Sequence, residues 1–232
     1  MKTAVLASGV VALGLIGAAG GYLVGDLTQP TTASASNGYP SGGDSPSADV
    51  IVKSPIPNHV PAFKATGLRY REHTFTVRQE PSPRVKVSID MPRGWQLTSS
   101  PKTPAEVKFL DPLKERGVRV ESGFPPDLTT AEQREKLIAG LVSSQAPEND
   151  LKILENYDST VTGDDGRTRE VSTLIYTYIP TETLRYVIVR WVATGGDSQA
   201  TVEMSVTGLP QDAAGLKAVL AKASESVTIR DY

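Results

Sequence analysis

The chain has 232 residues with 24 Lys and Arg, 26 Asp and Glu, a formal net charge of −2 and no cysteine. Without cysteine there is no disulfide, iron–sulfur cluster, thiolate zinc site or thiol nucleophile. With both signs of charge interspersed, neither a nucleic-acid footprint nor a polybasic membrane patch stands out.

Lys2 precedes an uncharged run, Thr3–Val24, that stops before Asp26. Its length, about 33 Å as a helix, matches a bilayer core. The expectation is a retained signal anchor over residues 1–25, crossing the cytoplasmic membrane once. The N-terminus would lie inside, as Lys2 favours, and the remainder outside. The competing reading is a cleaved signal peptide and a secreted protein, with Ala18-Ala19-Gly20 or Ala33-Ser34-Ala35 as the small-residue site. Gly17, Gly21 and Gly25 share one helix face and would let two helices approach in lipid as a weak homodimer. Gly9, Gly14 and Gly20 lie off that face, which fits simple abundance of glycine. Residues 26–54 read as a flexible linker, because Thr28–Asp49 is nearly all Thr, Ser, Gly, Pro, Ala and Asn.

The folded domain is expected over 55–232. Its proline-rich start, with Pro55, Pro57 and Pro61, reads as an extended strap. His59 and His73 have no carboxylates at ligand spacing and read as surface residues. Strands are predicted at Thr74–Gln79 and at Arg84–Met91, where Val85, Val87, Ile89 and Met91 alternate inward. Trp95, just past the Pro92-Arg93-Gly94 turn, should close one end of the core, with ligand stacking as the lesser reading. Glu106–Leu110 and Gly117–Glu121 are two further short strands.

Thr129–Gln145 is a helix opened by the capping box Thr129-x-x-Glu132. Leu137, Ile138, Leu141 and Val142 are its expected buried stripe. A strand at Leu151–Thr162 turns at Gly163-Asp164-Asp165-Gly166, where turn chemistry explains the acidic pair better than calcium does. Arg169–Thr207 follows as an antiparallel meander broken at Pro180-Thr181-Glu182 and at Gly195-Gly196-Asp197-Ser198. Its middle run, Leu184–Ala193, is apolar enough to be central. In its last run Ala200, Val202, Met204 and Val206 face a core, with Thr201, Glu203, Ser205 and Thr207 towards water. Pro210–Ser224 is a second helix with Leu216, Val219, Leu220 and Ala223 inward, and Ser226–Arg230 a closing strand. The fold class is α+β: an antiparallel β-sheet packed with helices.

No G-x-S-x-G elbow, Walker loop or H-E-x-x-H occurs, so no catalytic residue, metal or cofactor is expected. Tyr176, Tyr178 and Tyr186 combine an apolar body with a polar tip. They are the candidate border of a shallow groove for a lipid or partner peptide at the margin of the first helix. Tyr186 is expected across the hairpin beside the other two. The alternative is the edge of a core.

The segment Val85–Trp95, VKVSIDMPRGW, and the order of elements over Arg185–Ile229 resemble the actinobacterial LpqN/LpqT lipoprotein family. The resemblance implies a PsbP-like fold, a location outside the cytoplasmic membrane and a non-enzymatic role in the cell envelope. The family's members are anchored through an acylated cysteine, which this chain lacks, so the Thr3–Val24 helix would replace that anchor. The expectation is a tethered binding or accessory domain in envelope biogenesis or transport, with an envelope protein, lipid or glycolipid as partner. The alternatives are an envelope hydrolase using two carboxylates about 5–10 Å apart, or a structural spacer.

Overall fold

The computed structural model describes residues 51–80 and 82–231. The apolar run, both cleavage sites, the glycine stripe and nearly all of the linker lie outside these residues. Among the described residues no helix is long and apolar enough to cross a membrane.

The elements are β1 (Tyr70–Val77), β2 (Val85–Pro92), β3 (Gln96–Ser99), β4 (Glu106–Leu110), β5 (Gly117–Ser122), α1 (Thr130–Ser144), β6 (Lys152–Thr162), β7 (Thr168–Tyr178), β8 (Arg185–Val192), β9 (Val202–Gly208), α2 (Ala213–Ser226) and β10 (Thr228–Asp231). The α+β class holds, with antiparallel pairing throughout. Among the described residues there are two sheets, however. A small one has the order β1-β2-β10, and a seven-stranded one the order β3-β4-β5-β9-β8-β7-β6. The meander lies in the large sheet with β8 in its interior, as its apolar sequence requires. β10 closes on β2 instead, pairing Ile229 with Val87.

Because side chains alternate along a strand, each face of the large sheet needs its own cover. On one face Phe109, Val118, Val120, Val202, Met204, Val206 and Ile188 pack against the β2 residues Val87, Ile89 and Met91 and the α2 residues Leu216, Val219, Leu220 and Ala223. On the other, α1 lies over β7 and β8. There it covers Leu174, Tyr176, Tyr178, Val187, Val189 and Trp191. The Thr129–Glu132 capping box forms as expected. The stripe of α1 is narrower than predicted: Leu141 is buried, Leu137 and Ile138 are partly covered, and Val142 is 67% exposed. The reason is that α1 packs mainly on β7 and β8, so a wide apolar face has too little to pack on.

Residues 53–63 form the strap. The Lys53 N–H donates to the Glu148 carbonyl at 2.9 Å, and its ammonium donates to Asn149 Oδ1 at 2.5 Å and the Pro180 carbonyl at 2.8 Å. Folded contacts thus begin two residues before the expected domain boundary. Ile56 N–H reaches the Glu182 carbonyl, and Phe63 N–H reaches Asp212 Oδ1 at 2.7 Å. Asp212, wholly buried, also accepts from Leu209 N–H and from the Arg116 guanidinium at 2.9 Å. Arg116 in turn binds the Pro61 carbonyl and Asp111. One buried arginine between two aspartates therefore ties strap, α2 and the β4–β5 loop together.

Candidate functional site

Strand register places the three tyrosines. Thr177 faces Tyr186, while Tyr176 faces Val187 and Tyr178 faces Arg185. Tyr176 and Tyr178 therefore point to the α1 side, their rings 5.8 Å apart. Tyr186 points to the opposite face, into the core beside α2. The expected three-tyrosine cluster does not form. The remaining pair is buried beneath α1, where burial pushes the Tyr176 phenol far above its ordinary pKa, with Tyr178 and Glu203 acting in the same direction.

Beyond α1, the same sheet face is polar. Register sets Trp191, Glu203, Glu121 and Glu106 in one row across β8, β9, β5 and β4. Arg119 sits among them. It donates to Glu106 at 3.2 Å, to Glu121 at 2.6 Å and to Glu203. Trp191 Nε1 donates to the second oxygen of Glu203 at 3.0 Å, and Lys108 pairs with Glu106 at 3.3 Å. Burial works against the Arg119 charge, yet the three carboxylates hold its pKa above the ordinary arginine value. Burial and then Glu203 raise that of Glu121. The face expected to meet water is a seam of ion pairs in which every carboxylate already has a cation, and it holds the sheet rather than a ligand.

Two grooves remain. The first, about 480 Å³, lies at the start of α1 and is lined by Thr129, Thr130, Asp158, Thr160, Glu170 and Ser198. Asp158 faces Ser172 while Thr160 faces Glu170, so the two carboxylates are diagonal neighbours on β6 and β7. Diagonal residues have Cα atoms about 7–8 Å apart, close enough for two carboxyl groups to reach the separations a glycosidase uses. Asp158, however, is tied to Arg134 at 2.6 Å and to Ser172 Oγ at 2.5 Å. Glu170 is exposed. A general acid needs an apolar surrounding to keep its proton at neutral pH, and neither carboxylate has one.

The second groove, about 560 Å³, lies between strap, β2–β3 turn and β4–β5 loop. Phe63, Leu68, Pro92, Trp95, Pro112 and Leu113 give it an apolar lining, with Arg69 and Arg93 beside them. The strap builds its inner wall: Phe63, placed by its N–H bond to Asp212, stands 5.7 Å from Trp95 and under the Arg116 guanidinium. The turn builds another. Gly94 holds φ +90°, open to glycine at little cost, and Arg93 N–H donates to the Arg69 carbonyl at 2.8 Å. This brings both arginines to one rim. Arg93 Nε donates only to the Tyr70 carbonyl, and among the described residues Arg69 has no side-chain partner. The carboxylate here, Asp111, is already paired with Arg116 at 3.2 Å. Leu113, at the tip of its loop, is 60% exposed.

Sequence reasoning singled out Trp95 as a core cap, and it is one, 4% exposed. It missed Arg69, Arg93 and Leu113 as companions. The signal for Arg93 was its place inside the Pro-x-Gly-Trp turn; Arg69 and Leu113 had none. The architecture defines a two-sheet α+β domain carrying an apolar groove with a cationic rim. Comparison with models of protein families and with curated proteins finds no match to this chain.

Proposed function

We propose that this chain is a tethered, non-enzymatic binding domain on the outer side of the cytoplasmic membrane, serving envelope biogenesis or transport. Residues 1–25 would be its anchor and the linker that follows, up to the strap at Lys53, its tether. In this reading the chain is a distant relative of the LpqN/LpqT lipoproteins with a PsbP-like fold, and the likeness over Val85–Trp95 and Arg185–Ile229 supports that. The observation that carries the binding role is the strap groove: an exposed apolar hollow with two arginines that no carboxylate among the described residues pairs. A hollow of this size and lining is where ligands generally bind.

The test is fractionation and labelling in cells. The full chain should stay with membranes in high salt and be digested by protease added to intact spheroplasts. A photo-reactive residue at Leu113 should give discrete adducts that one at Thr162, on the far strand β6, does not. A soluble full-length protein, or identical labelling from both positions, would overturn the proposal.

The first groove carries a second reading, a hydrolase, on the Asp158–Glu170 spacing alone. Release of new reducing ends from purified envelope polysaccharide, abolished by Glu170→Gln, would establish it.

A further inference from the structure

We infer that the strap groove binds the headgroup and upper chains of an anionic phospholipid. This rests on the envelope reading above for where such lipid would be met, and on the groove alone for the chemistry. Three observations lead to it. Arg69 and Arg93 line one rim, and among the described residues no carboxylate pairs with either. A guanidinium fork matches phosphate bidentately, as it does carboxylate. The lining below them is aromatic and aliphatic, from Phe63 and Leu68 to Leu113 with the edge of the largely buried Trp95 between, so a bound anion would have an apolar body attached. Pro92 and Pro112 lack backbone N–H donors, so the walls offer little of the main-chain pairing that an extended acidic peptide uses. An amphiphile needs none. The buried Asp111–Arg116–Asp212 knot behind the groove fixes both Phe63 and the β4–β5 loop, so the hollow is preformed.

The occupant therefore has a phosphodiester at the arginines and hydrocarbon over Trp95, leaving past Leu113. No covalent step is involved. Binding should weaken with salt, because the arginines lie at the surface.

The test uses the full chain in neutral detergent, titrated calorimetrically with dihexanoyl-phosphatidylglycerol. Dihexanoyl-phosphatidylcholine, inorganic phosphate and a triglutamate peptide are the comparison probes. Saturable binding of the phosphatidylglycerol is expected, at least about tenfold tighter than any of the other three and at least about tenfold weaker in Arg69→Glu/Arg93→Glu. Both side chains are exposed and make at most one bond, so the double variant should unfold at the same temperature as the parent. If it does not, Leu113→Glu, at the other end of the groove, supplies the same test from the apolar side. Equal affinity for phosphatidylcholine would mean the arginines do not read charge. Equal affinity for phosphate would make this a free-anion site, and equal affinity for triglutamate would assign it to an acidic protein segment. Each of these, or no binding at all, overturns the inference. Failure here with normal membrane fractionation leaves the tethered-domain reading standing, whereas a soluble chain that still binds phosphatidylglycerol removes the tether and keeps the site.

Discussion

Trp191 and Glu203 are direct register partners on β8 and β9, and the indole N–H donates to the carboxylate at 3.0 Å. The ring lies 1% exposed beneath α1 while its nitrogen reaches the ionic seam. One side chain thus joins the apolar and polar halves of the sheet face. Trp191→Ala should cost about 3–5 kcal/mol, the loss on transfer plus a cavity. Trp191→Phe keeps much of the ring and removes the donor, so about 1–2 kcal/mol is expected. Urea unfolding followed by circular dichroism separates the two. Equal losses would mean that the hydrogen bond, not ring volume, carries the effect.

Gly215 stands in the first turn of α2, where a β-carbon would collide with the carbonyl and ring of Phe63. In an open helix Gly→Ala gains up to about 1 kcal/mol. Here the sign reverses: the methyl must displace the strap. Gly215→Ala should lower stability by about 1–3 kcal/mol and speed trypsin cleavage after Lys64. A variant more stable than the parent with unchanged cleavage would show that strap and helix do not touch.

Thr201 looks dispensable in the sequence, on the outer face of a strand, where replacement ordinarily costs under about 0.5 kcal/mol. Its hydroxyl in fact accepts from Thr194 N–H at 3.0 Å, meets the Thr194 hydroxyl at 2.9 Å and can donate to the Val192 carbonyl at 3.0 Å. The β8–β9 loop is closed by it. Thr201→Ala should therefore cost about 1–2 kcal/mol and Thr201→Ser much less, both read from guanidinium unfolding. Indistinguishable Ala and Ser variants would return the residue to mere surface.

Burial, with Glu203 second, raises the Glu121 pKa above its ordinary 4.5. The native state then holds this proton more readily than the unfolded chain does. Stability from this group is present below the unfolded value and is lost as pH rises through the higher native one. Glu121→Gln removes that loss, so the urea midpoint of the variant should gain on the parent's as pH rises from about 4. A difference between the two midpoints that is constant with pH would contradict the assignment.

The legible parts of this fold were local ones. The alternation of Val85 to Met91 places β2 residue by residue, the Thr129–Glu132 box starts α1, and Leu216 to Ala223 marks the buried stripe of α2. The split into two sheets was not legible, because β10 meets β2 across some 140 residues of chain. β3 escaped because all four of its residues are exposed. Tyr186 was misplaced by a matter of parity. The connection Ile179–Leu184 has an even number of residues, so even-numbered positions pair with odd ones and Tyr186 turns away from Tyr176. The groove depends on Arg69, Arg93 and Leu113 from three separate loops, and only the folded chain brings them together.

The strap also decides how the domain bears tension. A pull arriving from the N-terminal side reaches Lys53 first, then Ile56, Pro61 and Phe63, whose bonds to Glu148, Glu182, Arg116 and Asp212 are spaced along one extended segment. Pulled away from the domain surface they would be loaded one after another, so the segment would peel like a zip while the sheets stay out of the load path until Phe63 lets go. Peeling would also strip the inner wall from the groove. Tension on the tether and occupancy of the hollow would then oppose each other, making the strap a mechanical fuse.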